Sequence, residues 1–159
     1  MKTIFITGAS SGIGMALARE FSREDVVLGL FARRKERLDS LANDLATDVY
    51  VYAADVDDSL TMRSAAEAFI QSAGIPDLVI ANAGVSSGTL TSESKDQVVF
   101  EQIMRTNVMG MVHTYQPFVE AMRMRGSGTL VGISSIAGFR GIPGSGAYSA
   151  SKAAATAYL

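Results

Sequence analysis

Apolar residues fall along this chain in short continuous runs, separated by longer segments in which they recur every three or four positions. The runs Lys2–Thr7, Val26–Phe31, Val49–Ala53, Leu78–Asn82 and Thr129–Ser134 are nearly all apolar rather than alternating. Strands of a parallel sheet covered on both faces require that pattern, so all five are expected to be buried. Between them, Gly12–Ser22, Lys35–Leu45, Ser59–Ala73, a segment near Ser94–Arg105, and Asn107–Arg125 read as helices. The last carries Val108, Met111, Val112, Tyr115, Val119 and Met122 as one stripe at helical spacing. A final segment from about Gly144 to Leu159 begins another helix, and no strand follows it. Strand and helix alternating in this way predict right-handed βαβ crossovers wound onto both faces of one sheet, an α/β architecture.

Composition narrows the function classes. At 159 residues, 48% hydrophobic and 19% charged, the chain has the length and make-up of one globular domain with a real core. No linker, repeat or low-complexity stretch divides it, so residues 1–159 are read as a single domain. The formal net charge of −2, from 14 basic and 16 acidic residues spread along the chain, gives no reason to expect a nucleic-acid or membrane partner. With no cysteine and the single histidine His113, disulfides, thiolate metal sites and metal-ligand clusters are not expected. Met1-Lys2 leads directly into a strand without a signal-peptide pattern, and no apolar stretch reaches the roughly 20 residues that span a bilayer. The expected location is the cytoplasm.

The chemistry starts immediately after the first strand, where Thr7-Gly8-Ala9-Ser10-Ser11-Gly12-Ile13-Gly14 opens a helix. Gly8 permits a sharp turn, Gly12 lets backbone approach a pyrophosphate, and Gly14 lets helix and strand pack closely. The helix N-terminus offers N–H groups to phosphates. The spacing is G-x-x-x-G-x-G, and the Gly-Lys-Ser/Thr ending of an NTPase loop is missing. At the end of the second strand, Phe31-Ala32-Arg33-Arg34-Lys35 has no carboxylate to accept hydrogen bonds from the ribose hydroxyls of NAD. A small Ala32 followed by Arg33 suits the 2′-phosphate of NADP, which a guanidinium can bind in a charge-assisted fork. Arg34, Lys35 and Arg37 also fit a solvated first helical turn. NADP(H) is the preferred cofactor on this reading, with NAD(H) as the alternative.

Asp55-Val56 follows the third strand, Asn82-Ala83-Gly84 the fourth, and Asn107 stands at the boundary of two helices. Ligands of open α/β sheets lie beyond the carboxyl ends of the strands, where all of these fall. Singly, each also reads as a turn or cap. Tyr148 and Lys152, four residues apart, share one helix face. A free phenol titrates near pH 10, and a neighbouring ammonium favours its ionised form, which suits it to proton transfer near neutrality.

Together, Thr7-Gly8-x-x-x-Gly12-x-Gly14, Asn82-Ala83-Gly84, Asn107, Ser135 and Tyr148-x-x-x-Lys152 resemble the short-chain dehydrogenase/reductase family across the whole chain. The resemblance implies a Rossmann-type doubly wound parallel sheet with strand order 3-2-1-4-5. It also implies an NAD(P)-dependent oxidoreductase moving a hydride between nicotinamide and a carbonyl or alcohol carbon, NADPH-dependent carbonyl reduction being the form expected. Ser135 is preferred over Ser134 because it keeps the family's separation of thirteen positions from Tyr148. By the family's pattern Tyr148 is the general acid or base, Ser135 a donor to the reacting oxygen, and Lys152 a modulator of Tyr148 that also bonds the nicotinamide ribose. Asn107 would help hold a water connecting Lys152 to solvent. Gly8, Ser10, Ser11, Gly12, Ile13, Gly14, Arg33, Asp55, Val56, Asn82, Ala83, Gly84, Tyr148 and Lys152 line the cofactor site on this pattern, with Asp55 at the adenine amine. Val85–Thr91 and Ile136–Ala147 are expected to border the substrate pocket.

The family implies a small-molecule substrate and a homo-oligomer, dimer or tetramer, in contact through the long helices. Family members continue into sixth and seventh strands that this sequence does not contain, so the expectation is part of a longer polypeptide whose remainder completes the substrate site. The competing readings are a nucleotide sensor that binds NADP without turnover, and an inactive fragment of a longer reductase.

Overall fold

The computed structural model describes Met1–Leu159. Its strands β1 (Lys2–Thr7), β2 (Val26–Ala32), β3 (Asp48–Ala53), β4 (Leu78–Ala81) and β5 (Thr129–Gly132) form one all-parallel sheet in the order β3-β2-β1-β4-β5. The expected order holds. Helices α1 (Gly12–Phe21), α2 (Lys35–Asp44), α3 (Ser59–Ala73), α4 (Asp96–Met104), α5 (Gly110–Arg125) and α6 (Gly146–Tyr158) cover both faces. None of them is long and apolar enough to cross a membrane.

Alternation along the inner strands divides the core into two. Phe5, Val27, Phe31 and Val79 point to one face, where Met62, Ala66 and Phe69 of α3 and Met111, Tyr115 and Phe118 of α5 meet them. Ile4, Ile6, Leu28, Leu30 and Ile80 point to the other, against Ala18 of α1 and Leu38 and Leu41 of α2. Phe5 centres the first layer, its ring 5.0 Å from that of Phe118 and 5.4 Å from that of Phe69. Gly29 makes room for it: a Cβ there would stand 2.5 Å from the Phe5 ring. The uniform burial expected of the strands is met only at the centre. β3 and the first half of β5 are partly exposed because each is an edge with one neighbour.

Strands β2 and β3 extend to one side of β1 and β4 and β5 to the other. The direction in which successive strands are added therefore reverses at the β1–β4 boundary, leaving a crevice at the carboxyl ends. Around that crevice the helix boundaries matter most. Asn107 does not begin a helix: α4 and α5 are joined by a π turn over Arg105–Met109, in which Gly110 N–H donates to the Arg105 carbonyl. The stripe expected on the second helix is also shifted. Val119 is exposed, and Phe118 and Thr114 take the buried positions beside Met111, Tyr115 and Met122.

Candidate active site

The crevice is a cleft of about 390 Å³ at the carboxyl ends of the strands. Gly8 turns the chain out of β1 with φ +68, a conformation that suits glycine, and its Cβ position lies 2.8 Å from Ala83 Cα. That close approach is fixed by hydrogen bonds. Thr7 Oγ1 accepts from the Asn82 and Ala83 N–H groups, and Asn82 Nδ2 donates to the Thr7 and Gly8 carbonyls at 3.0 and 3.2 Å. Gly14 packs under the same turn, where a Cβ would come 2.5 Å from the Gly8 carbonyl oxygen. Gly12, at φ +55, has nothing within 4 Å of its Cβ position and opens to the cleft at the N-terminus of α1. Exposed backbone N–H groups beside open space form a cradle suited to a pyrophosphate, so the residues present fit a dinucleotide.

On the β2 and β3 side, the arginines divide differently from the sequence reading. Arg33 pairs with Asp55 at 3.6 Å. Arg34, for which a solvated helical turn was the alternative reading, donates to Ser11 Oγ at 2.9 Å and Ser10 Oγ at 3.1 Å, bridging the end of the second strand to the glycine turn. Both line the cleft, with Ser10, Ser11, Ile13, Asp55 and Val56.

On the β4 and β5 side, Tyr148 and Lys152 stand one turn apart on α6 and line the same cleft as Asn82, Ala83 and Gly84. Lys152 is only 5% exposed, and its Nζ donates to the Ile133 carbonyl at 2.6 Å and lies 5.8 Å from the centre of the Tyr148 ring. Burial pushes the Lys152 ammonium below its usual range, because desolvation disfavours the charged form. Asn107 is buried in the π turn. Its Oδ1 accepts from Val85 N–H at 2.7 Å, and its Nδ2 donates to the Val85 carbonyl and to Ser151 Oγ, each at 2.9 Å. Ser151 Oγ in turn donates to the Tyr148 carbonyl at 2.7 Å. The Asn107 amide therefore ties the segment after β4 to the helix of Tyr148, and both of its hydrogens are used in doing so.

The two serines differ. Ser135 Oγ accepts from Ala137 N–H at 3.2 Å and caps the short turn Ile136–Gly138, which leaves its own hydrogen available to donate. Ser134 Oγ is engaged with the Lys152 carbonyl and Thr156 Oγ1 on α6. Ser134 lines the cleft, while Ser135, Asn107 and Gly14 are not part of its lining. The two segments expected to border the substrate side do meet: Thr89 N–H donates to the Gly144 carbonyl at 2.9 Å, and Ala147 N–H to Thr89 Oγ1 at 3.4 Å. Ile136 and Phe139 are 80% and 81% exposed on the second of them. Arg34, Thr106, Ser134 and Ser151 are site residues that the sequence did not single out. The adjacent serine pair and the second arginine were visible, but which of each pair reaches which partner depends on backbone direction.

Known proteins are similar to this chain in sequence and fold. The sequence profile described as short chain dehydrogenase matches residues 2–159. An uncharacterized oxidoreductase of Myxococcus xanthus is 38% identical over 163 residues, covering 99% of this chain and 63% of that protein. The NADPH-dependent pterin aldehyde reductase of Arabidopsis thaliana is 34% identical over 158 residues, covering 95% of this chain and 63% of its own length. The crystal structure of an alcohol dehydrogenase from the archaeon Thermococcus sibiricus, complexed with 5-hydroxy-NADP, superposes with a TM-score of 0.94 at 31% identity. It covers 100% of this chain and 68% of that one. The chain thus spans about two thirds of the length of each of these proteins. With the profile matched from the first strand to the last helix and the sheet order shared, the chain belongs to the short chain dehydrogenase family.

Proposed function

We propose that the protein containing this chain is an NADP(H)-dependent oxidoreductase that reduces a small carbonyl compound, with Tyr148 as the proton donor. The observation that carries this reading is that Tyr148 and the buried Lys152 line one continuous cleft with the glycine turn. When bound there, a nicotinamide dinucleotide supplies the hydride. Tyr148 then gives its phenolic proton to the oxygen on which negative charge develops, a contribution of about 10²–10⁴-fold. Ser135 Oγ, with its hydrogen free, donates to the same oxygen. Lys152 lies in a poorly solvated position, where its charge acts on the phenol with less screening than in water. Asn107 keeps α6 and the Val85 segment in register, so the proton donor stays at the cleft wall.

The cofactor preference rests on the two arginines. With no carboxylate after β2, Arg33 and Arg34 flank the place where the adenosine ribose of a dinucleotide lies, and a 2′-phosphate there meets two guanidinium groups. The pterin aldehyde reductase named above uses NADPH and the archaeal neighbour carries an NADP derivative, which supports the same preference.

Replacing Tyr148 tests the reading. Tyr148→Phe in the full-length protein should lower carbonyl-dependent NADPH oxidation at least about 100-fold and leave the NADPH dissociation constant within two-fold. Turnover within a few-fold of wild type would remove Tyr148 as the acid. NADPH binding with no turnover of any aldehyde or ketone by the unsubstituted protein would favour a sensor.

A further inference from the structure

Helix α5 and the π turn before it present Thr106, Gly110 and His113 along one face, at spacings of four and three residues. All three touch the short segment that follows β3. Thr106 Oγ1 donates to Asp57 Oδ2 at 3.3 Å. A Cβ on Gly110 would come 2.8 Å from Val56 Cγ2, so the helix backbone lies directly against that side chain. His113 Nδ1 lies 2.9 Å from the Val56 carbonyl oxygen. A carbonyl only accepts, so Nδ1 carries the hydrogen and donates it. The other carboxylate oxygen of Asp57, Oδ1, is buried with no partner, while Asp57 N–H donates to Asp55 Oδ1 at 3.1 Å.

Val56 is 5% exposed, and with Asp55 it forms the part of the cleft wall beyond β3. In a doubly wound sheet the adenosine half of a dinucleotide lies on the side of the strands that follow the glycine turn, here β2 and β3. We propose that His113 and Thr106 are positioning residues for the cofactor: from one helix face they set the Asp55–Val56 wall against which the adenosine half binds. This rests on the reading of the cleft as an NADP(H) site. Neither side chain has to touch the reacting atoms; each acts through the backbone or carboxylate it holds. The same π turn carries Asn107, which fastens the Tyr148 helix, so one irregular turn positions wall elements at both ends of the cleft.

The test compares NADPH with 2′,5′-ADP, which contains only the adenosine half, by equilibrium binding to the full-length protein. His113→Leu should raise both dissociation constants by a common factor of about 3- to 10-fold, the effect of one lost hydrogen bond. His113→Asn keeps an N–H near the Nδ1 position and should bring both to within two-fold of wild type. Thr106→Val, which removes only the hydroxyl, should act in the same direction as His113→Leu and serves if the latter does not fold. Unchanged binding in His113→Leu and Thr106→Val would overturn the proposal. So would weakened NADPH with unaltered 2′,5′-ADP, or a failure of His113→Asn to restore binding. If the unsubstituted protein bound neither NADPH nor NADH, the cofactor reading itself would fall, and the clamp with it.

Discussion

Arg33 and Arg34 are adjacent in sequence yet leave β2 in different directions, one to Asp55 and the other over the glycine turn to Ser10 and Ser11. From sequence the first arginine after Ala32 was the natural phosphate reader. The helix that starts at Lys35 sets the direction of the second, and residue order does not encode it. If the pair reads a 2′-phosphate, Arg34→Ala should weaken NADPH more than NADH, and Arg33→Ala should do the same. Equal weakening of both nucleotides by both variants would show that neither side chain reads the phosphate. Lys152 offers a second check. In the unfolded chain it keeps its proton up to its ordinary value near 10.5, whereas in the folded chain burial makes it lose the proton at lower pH. Between those values the unfolded state binds more protons, so this residue makes stability rise with pH. Urea denaturation of wild type and Lys152→Met at pH 7.5 and 9.5 should show wild type gaining on the variant at the higher pH. A difference that is flat or moves the other way would contradict the burial of a charged ammonium there. The glycine positions were legible because each is a backbone demand that only glycine meets without strain, at Gly8 by φ and at Gly14 by contact.

At the scale of elements, the helices that carry chemistry are those whose ends the sequence placed least well. A π turn inserts one residue into the helical repeat and shifts the phase of the buried stripe, so Arg105–Met109 mimics a boundary between two helices. That is why Asn107 reads as a cap in the sequence and stands inside a continuous helical path in the structure. Within α5 the buried stripe runs through Met111, Tyr115, Phe118 and Met122 at alternating spacings of four and three, which leaves Val119 on the exposed side. Helix α3, by contrast, starts and ends where its residues say. Asp58 Oδ1 accepts from the Leu60 and Thr61 N–H groups, each at 3.1 Å, and Gly74 follows the last turn at φ +89. Asp58→Ala should therefore lower the midpoint of chemical denaturation. Asp58 does not line the cleft and its side chain bonds only the first turn of α3, so NADPH affinity should change little in this variant. A large loss of affinity would mean that α3 is coupled to the site more directly than its packing implies.

For the molecule as a whole, the layering was legible because short apolar runs alternating with helical stripes admit few right-handed windings, whereas the strand order was implied only by the family resemblance. Edge burial was not legible, since β3 and β5 are as apolar as the inner strands and differ from them only in their number of neighbours. On the proposed reading this cleft brings a nicotinamide and a proton donor to one carbonyl. The decisive experiment supplies the full-length protein with NADPH deuterated at the transferable C4 position, together with a panel of aldehydes and ketones. Products are then read by mass spectrometry for wild type and Tyr148→Phe. The expected product is an alcohol carrying one deuterium on the former carbonyl carbon, formed at least about 100-fold more slowly by the variant. NADPH consumed without deuterium reaching the product carbon, or label transferred by Tyr148→Phe within a few-fold of the wild-type rate, would contradict that reading.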